Sequence, residues 1–215
     1  MVLKAELYSK VVLGDSAGVK TLTERAIEEG YDAADLLRDV LSAAMREVGE
    51  RFERGEFFVP EMLLAARAMK AGVEVLRPHC VDGGLPSTGT VVIGTVAGDL
   101  HDIGKNLVVM MLEGAGFAVI DMGINVAPGA FVDAVRRHCP EIVGMSALLT
   151  TTMASMETII EALTEAGLRD RVIVMVGGAP VSQRYADHIA ADLYAADASS
   201  AARKAKEAVV QRKRT

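Results

Sequence analysis

The apolar residues of this chain follow two different periods, one before residue 82 and another after residue 89. In the first part they recur at the three- and four-residue spacing of amphipathic helices, with Asp15 or Ser16 as a candidate N-cap. This spacing predicts helices over residues 3–13, 16–29 and 32–54, and from Pro60 to about Val81. Four helices joined by short loops are enough for a small antiparallel bundle.

Beyond a stretch rich in Gly, Pro and Ser at residues 82–89, short β-rich apolar runs alternate with helix-length segments. Strands buried on both faces show such continuous runs, so the alternation predicts a parallel sheet with helices on both sides, in the flavodoxin-like order 2-1-3-4-5. We therefore expect a helical domain over 1–88 and a Rossmann-like α/β domain over 89–215. The predicted strands are 90–96, 117–122, 141–146, 172–178 and, more weakly, 191–196.

Polar and glycine-rich segments follow three strands that are neighbours in this order. "GDLHDIG" follows the first strand, "SALLTTTM" the third and "GGAPVS" the fourth. Ligands of open α/β sheets bind outside the carboxyl ends of the strands, where the strand order reverses. The sequence therefore predicts a binding site formed by these three loops.

Composition and charge narrow the function. The net charge of -6 over 215 residues argues against a nucleic-acid partner, which needs clustered Lys and Arg. No apolar stretch approaches the roughly 20 residues of a membrane span, and the start lacks a signal-peptide pattern, so we expect a cytoplasmic protein without a membrane partner. The phosphate-loop patterns GxxxxGK[ST] and GxGxxG and the hydrolase pattern GxSxG do not occur.

The spacing of the three loop motifs resembles a known fingerprint. DxHxxG (Asp99, His101, Gly104) is followed after 41 residues by SxL (Ser146, Leu148) and after 28 more by GG (Gly177, Gly178). This resembles the cobalamin-binding fingerprint of the B12-dependent methyltransferase family. The resemblance extends to residues 48–78, which are similar to the helical cap of methionine synthase and of stand-alone corrinoid proteins. "GLRDRVIVMVGGAPVS" is most similar to the methylamine-type corrinoid proteins.

The resemblance implies a role for each motif residue. It implies a cobalamin or related corrinoid, as methylcob(III)alamin or cob(I)alamin, with His101 as the lower axial ligand of cobalt. Asp99 is implied as the partner of the second imidazole nitrogen, and Thr152 stands where methionine synthase has the serine that completes the relay. Proton uptake by the histidine–aspartate pair is expected to favour release of His101 from cobalt. The resemblance therefore implies Asp99, His101 and Thr152 as the catalytic residues.

The same resemblance implies a wider set of cofactor-binding residues. For one of these residues, Gly98, the ordinary geometry of a turn is an equally good explanation. Phe52 and Val59 match cap positions over cobalt, and packing in the helical bundle explains them equally well. The full set is Gly98, Asp102, Ile103, Gly104, Ser146, Leu148, Thr150, Thr151, Gly177, Gly178, Ala179, Tyr194, Asp197, Phe52 and Val59.

The implied function is that of a methyl carrier that is not catalytic alone. It accepts a methyl group on Co(I) from a substrate-specific methyltransferase and passes it to a second methyltransferase that uses coenzyme M or tetrahydrofolate. A reductive activase is the third implied partner. Two alternatives stay open, a cobalamin-binding sensor or storage protein without turnover and a detached adenosylcobalamin mutase module. The motifs do not distinguish methylamines, methoxylated aromatics, methanol and betaines as methyl donors.

Overall fold

A computed structural model describes residues 2–79 and 87–213 of the chain. The chain divides into two compact units, a helical one and a second one that begins at Thr88 and contains the sheet. Most of the Gly- and Pro-rich stretch, together with Cys80 and the predicted helix end at Val81, lies outside the described residues. No helix among the described residues is both long and apolar enough to cross a bilayer.

The helical unit contains the four predicted helical segments. They are α1 (Val2–Val12), α2 (Ser16–Glu28), a long segment made of α3 (Ala33–Leu36), a π-helical turn (Leu37–Leu41) and α4 (Ser42–Glu53), and α5 (Val59–Leu76) with a 3-10 turn (Arg77–His79). Asp15, one of the two candidate caps, accepts a hydrogen bond from the amide of Gly18 at 2.9 Å. The apolar stripes meet in a core that includes Leu7, Leu36, Leu41, Met45, Met62 and Leu76.

Two details of the helices differ from the sequence prediction. The α-helical part of the fourth helix ends at Leu76 and not near Val81, because Pro78 has no backbone N–H to donate the next helical hydrogen bond. The third helix is interrupted by the π-helical turn, which adds a residue to one turn and rotates the following side chains around the helix axis.

Within the part of the chain that the structure describes, the second unit has a five-stranded parallel sheet and five α-helices. The elements are β1 (Thr90–Thr95), α6 (Ile103–Gly114), β2 (Ala118–Asp121), α7 (Pro128–His138), β3 (Ile142–Ser146), α8 (Ala154–Glu165), a 3-10 turn (Arg169–Arg171), β4 (Ile173–Gly177), α9 (Gln183–His188), β5 (Leu193–Ala195) and α10 (Ala198–Arg212). The strand order is β2-β1-β3-β4-β5, which confirms the predicted topology.

The register of the central strands makes their carboxyl ends level. Thr95 pairs with Ser146, and Ser146 pairs with Gly177, so β1, β3 and β4 end side by side. One face of the sheet is covered by α7, α8 and α9, whose buried side chains form one apolar cluster with β3 and β4. The reversal of strand order between β1 and β3 opens the crevice in which ligands of such sheets bind.

Candidate functional site

The centre of the site is the carboxylate of Asp99, which is fully buried in the loop after β1. Its Oδ1 accepts hydrogen bonds from the amide of His101 at 3.0 Å and from Nδ1 of the same residue at 2.7 Å. Its Oδ2 accepts from the loop after β3: the amides of Leu148 at 2.7 Å and Leu149 at 3.3 Å, and Oγ1 of Thr152 at 2.7 Å. The level strand ends thus let one side chain connect two loops about 50 residues apart.

These contacts keep Asp99 ionised. Burial alone favours the neutral acid, but the hydrogen bonds from Thr152, Leu148 and His101 favour the carboxylate more strongly and hold the pKa of Asp99 well below its ordinary value. An ionised carboxylate can only accept hydrogen bonds. Nδ1 of His101 therefore carries the hydrogen, and in the neutral imidazole the lone pair lies on Nε2.

His101 is held at its backbone as well as at its ring. The hydroxyl of Thr95, at the end of β1, donates to the carbonyl oxygen of His101 at 2.9 Å. The imidazole is about half exposed (51%), with Nδ1 directed at the buried Asp99. A fixed imidazole with one nitrogen bound to a carboxylate and a basic second nitrogen is the arrangement of a metal-ligating histidine.

Large apolar side chains are exposed around this histidine. Leu100 is 67% and Ile103 77% exposed, and Leu148 and Leu149 are each 43% exposed. Leu100, Leu148 and Leu149 come from the two loops that Asp99 connects, and Ile103 is the first residue of α6. Exposed apolar side chains gathered around a polar group are typical of a ligand site.

Gly104 adds an independent indication of a ligand. A Cβ at this position would meet no atom of the described residues within 4 Å, and the backbone there does not adopt the left-handed region. Neither packing nor backbone strain within the protein requires glycine here. The open space beside Gly104, the exposed apolar side chains around His101 and the lone pair on its Nε2 together fit a large, flat, largely apolar metal complex near the start of α6.

Gly178 has the opposite environment. Its φ is 127°, and a Cβ would lie 1.9 Å from the carbonyl oxygen of Ala147. The close approach of the loops after β3 and β4 therefore requires a glycine. At Gly177 the corresponding distance, to the carbonyl oxygen of Ala195, is 3.0 Å.

Several other residues predicted for the site have contacts within the protein. Asp102 accepts a hydrogen bond from the side-chain amide of Asn106 at 3.1 Å, at the start of α6. Asp197 is the N-cap of α10 and accepts from the amide of Ser200 at 2.8 Å. Tyr194 is half-buried, with Nζ of Lys204 5.9 Å from its ring centroid.

The remaining predicted residues differ in exposure. Ser146 lies half-buried at the end of β3, and Thr150, Thr151 and Ala179 are exposed in the loops beyond β3 and β4. In the helical unit Phe52 is half-buried, whereas Val59 is 36% exposed at the start of α5. Core packing within the helical unit therefore does not account for Val59.

Sequence reasoning missed Thr95 and Asn125, which hold the His101 loop, and the buried Lys105 of α6. The apolar pattern predicts only that Thr95 belongs to a strand. Asn125, after β2, accepts from the amide of Gly98 at 2.8 Å, and its positive φ of 53° could have been suspected because Asn is the non-glycine residue that most often takes it. Lys105 is buried and pairs with Asp121 at the end of β2, a contact that no local pattern indicates.

Comparison with known families agrees with this geometry. A family described as B12 binding domain matches residues 89–209, and a second family of the same description matches residues 3–77. The trimethylamine corrinoid protein 2 of Methanosarcina mazei is 47% identical over 190 residues, which is 87% of each chain. The dimethylamine corrinoid protein 1 of Methanosarcina acetivorans is 45% identical over 206 residues, which is 95% of this chain and 96% of the relative.

Solved structures show the same likeness. The methanol:cobalamin methyltransferase complex MtaBC from Methanosarcina barkeri contains a chain that superposes with a TM-score of 0.87 at 30% identity, over 97% of this chain and 80% of that one. A cobalamin-binding protein from Desulfitobacterium hafniense superposes with a TM-score of 0.81 at 32% identity, over 95% and 97%. The cofactor to which the site is fitted is thus a corrinoid, and the chain belongs to the B12-binding family of corrinoid proteins.

Proposed function

We propose that this protein carries a methyl group between two methyltransferases on a bound corrinoid, with His101 as the protein ligand of the cobalt. The observation that carries the proposal is the buried Asp99 carboxylate, which fixes the His101 tautomer and leaves Nε2 basic. When bound, the corrinoid supplies a cobalt centre that can take up and give up a methyl group. Everything else in the transfer depends on how the protein holds that centre.

His101 supplies the ligand, and Asp99 controls how good a ligand it is. A hydrogen bond from Nδ1–H to a carboxylate raises the basicity of Nε2 and fixes the plane of the ring. Thr152 and the amides of Leu148 and Leu149 hold the carboxylate, so the imidazole is oriented by the loop after β3 as well as by its own loop. A change in the hydrogen bonds of Asp99 would therefore change the strength of the ligand.

The exposed apolar side chains and Gly104 would supply the surface for the corrin ring. Leu100, Ile103, Leu148 and Leu149 offer exposed apolar area, and Gly104 leaves the start of α6 open. Burial of this area on binding excludes water from the ligated face. We assign Ser146, Thr150 and Thr151, at and beyond the end of β3, to the nucleotide tail of the corrinoid.

We propose a methylated amine as the source of the methyl group. The support is the identity of 44 to 47% to trimethylamine and dimethylamine corrinoid proteins over most of the chain. The first partner would be a methyltransferase specific for such an amine. The second would use coenzyme M or tetrahydrofolate. A reductive activase would return oxidised cofactor to the Co(I) state.

The first test is an absorption spectrum of the apoprotein incubated with methylcobalamin and freed of excess cofactor. We expect retained cofactor in the wild type with a nitrogen ligand on cobalt, and a base-off spectrum in His101→Ala. His138→Ala is a matched control, because His138 is an exposed histidine at the end of α7. If the wild type retains no corrinoid, the proposed cofactor role is wrong. If His101→Ala has the wild-type spectrum, His101 is not the cobalt ligand.

The second test addresses methyl transfer. The loaded and reduced protein is mixed with trimethylamine- or dimethylamine-specific methyltransferase and the methylated amine, and methyl uptake is followed by absorbance. Uptake is expected with at least one amine. Retained cofactor without uptake from any donor system would favour the sensor or storage alternative.

A further inference from the structure

The loop after β2 lies against the loop that contains Asp99 and His101. Asn125 in this loop makes two hydrogen bonds to the neighbouring backbone: its Oδ1 accepts from the amide of Gly98 at 2.8 Å, and its own amide donates to the carbonyl oxygen of Asp99 at 3.0 Å. The two bonds lie on either side of the Asp99 Cα. One residue from another loop therefore sets the direction in which the Asp99 side chain leaves the backbone.

The loop that carries Asn125 is anchored without the Asn125 side chain. Backbone hydrogen bonds continue the pairing of β1 with β2: the amide of Met122 donates to Ile93 at 2.8 Å, the amide of Thr95 to Gly123 at 3.0 Å, and the amide of Val126 to Thr95 at 2.9 Å. These backbone bonds flank Asn125 on both sides in the sequence and fix its position. Its side-chain hydrogen bond therefore serves to hold Gly98. Loss of the side chain would free the amide of Gly98, while the backbone bond from Asn125 to Asp99 and the β2 loop stay in place.

The backbone at Asn125 restricts which residues can do this. Its φ is 53°, in the left-handed region that Gly and Asn tolerate best. Of these two residues, only Asn also has a side-chain oxygen that can accept the Gly98 amide. The position thus combines an unusual backbone conformation with a specific acceptor, and the residue is exposed and does not contribute to the core.

We propose that Asn125 is a positioning residue for the axial ligand. By holding Gly98 and Asp99 it fixes the carboxylate that orients His101, and so sets the affinity of Nε2 for cobalt. The inference rests on the proposed ligation of cobalt by His101, and the experiment below separates the failure of one from the failure of the other.

The test is a double-mutant cycle on the affinity of the apoprotein for hydroxocobalamin, followed by absorbance. The four proteins are the wild type, Asn125→Gly, His101→Ala and the double variant. Asn125→Gly keeps the permitted φ and the backbone amide and removes only the acceptor. We expect it to weaken binding about fivefold when His101 is present, the effect of one lost hydrogen bond, and to have no effect when His101 is alanine.

Asn125→Asp is the matched control. Its carboxylate oxygen can still accept from Gly98, so we expect it to restore wild-type affinity within about twofold. An equal loss from Asn125→Gly with and without His101 would make Asn125 an ordinary contact and overturn the inference. An unchanged affinity in His101→Ala would instead overturn the proposed ligation.

A second measurement needs no cofactor. In 15N-labelled apoprotein the imidazole nitrogen resonances of His101 report whether Nδ1 holds its hydrogen against Asp99. We expect Asn125→Gly to shift them toward the pattern of a free, exchanging imidazole, while Asn125→Asp keeps the wild-type pattern. His101 resonances that are the same in wild type and Asn125→Gly would overturn the inference even if affinity changes.

Discussion

Gly104 and Gly178 both follow strands at the carboxyl edge of the sheet, but different surroundings require them. A Cβ at Gly178 would collide with the backbone of Ala147, whereas a Cβ at Gly104 would point into open space. The first glycine is required by the fold of the protein. The second has no such requirement within the protein, and the proposed corrinoid site gives it a role that substitution can test.

Substitution of the two glycines separates these roles. Gly178→Ala is expected to lower the free energy of unfolding by at least about 3 kcal/mol, because the backbone clash adds to an unfavourable φ. Gly104→Ala is expected to leave it unchanged or raise it by up to about 1 kcal/mol, since Ala is the better helix former. Urea unfolding measures both.

The same Gly104→Ala variant is expected to bind hydroxocobalamin at least about tenfold more weakly, because a misfit of one methyl group is worth about 1 to 3 kcal/mol. Unchanged affinity in a stable Gly104→Ala protein would show that the cofactor does not approach this wall.

Thr152 is expected to stabilise the protein through Asp99, and to do so in a pH-dependent way. Thr152→Val keeps the shape of the buried side chain and removes the hydroxyl that donates to Oδ2. We expect a loss of about 1.5–3 kcal/mol in the free energy of unfolding at neutral pH, the contribution of a hydrogen bond to a charged group. Thr152→Ser, which keeps the donor, is the control.

The pH dependence follows from the direction of the pKa shift. The pKa of Asp99 is lowered in the folded protein, so its hydrogen bonds stabilise the fold fully above the ordinary aspartate pKa of about 3.9, and this stabilisation is lost as the pH falls toward the lowered value. Thr152→Val raises the folded pKa again. The difference between the two proteins should therefore be largest above about pH 4 and shrink in more acid solution; a difference that is constant with pH would assign the effect to packing.

At the residue scale, the predicted strand order could show that the loops after β1, β3 and β4 lie together, and the resemblance to methionine synthase then singled out Asp99, His101 and Thr152 within them. Spacing could not predict Asn125, Thr95 or the pair of Lys105 with Asp121. Thr95 and Asn125 act through hydrogen bonds between side chain and backbone, and Lys105 acts through an ion pair with another side chain. The Asn125 and Lys105 contacts also depend on the register of β2 against β1. That register has no signature in the sequence, since any alignment of two short apolar strands buries similar side chains.

At the element scale, helix starts were more predictable than helix interiors and ends. Side-chain caps such as Asp15 and Asp32 are local, and each accepts a hydrogen bond from an amide three residues ahead. The π-helical turn at Leu37–Leu41 does not depend on a single nearby side chain, because packing against the core decides it. The three- and four-residue spacing of apolar residues continues through it and gives no sign of the extra residue. The effect of Pro78 on the end of α5 could have been read from the sequence.

Asp197 provides a test at this scale, because the structure shows it as a helix cap whereas the family resemblance implied a cofactor contact. Asp197→Ala is expected to lower the free energy of unfolding by about 1 kcal/mol through loss of the cap on α10. Asp197→Asn keeps an acceptor and should retain stability and hydroxocobalamin affinity. A weaker affinity in Asp197→Asn at unchanged stability would assign the residue to the cofactor site after all.

At the scale of the whole molecule, the order β2-β1-β3-β4-β5 determines where the site lies. The crevice between β1 and β3 exists because the chain leaves β1 toward one side, returns across it and continues on the other side. The apolar runs and their alternation with helices were sufficient to predict this arrangement, since few topologies of a short parallel sheet satisfy right-handed crossovers.

The hydrogen bonds from Leu148 and Thr152 to Asp99 also determine when, during synthesis of the protein, the site can form. A growing polypeptide on the ribosome contains the histidine long before it contains the segment that holds the carboxylate beside it, and β1 cannot pair with β3 until some fifty more amino acids have been made. Pairing between distant segments is slow relative to local helix formation. A nascent chain would therefore complete the hydrogen bonds around His101 only after Thr152 has emerged, and under the proposed ligation cofactor loading would follow synthesis of most of the chain.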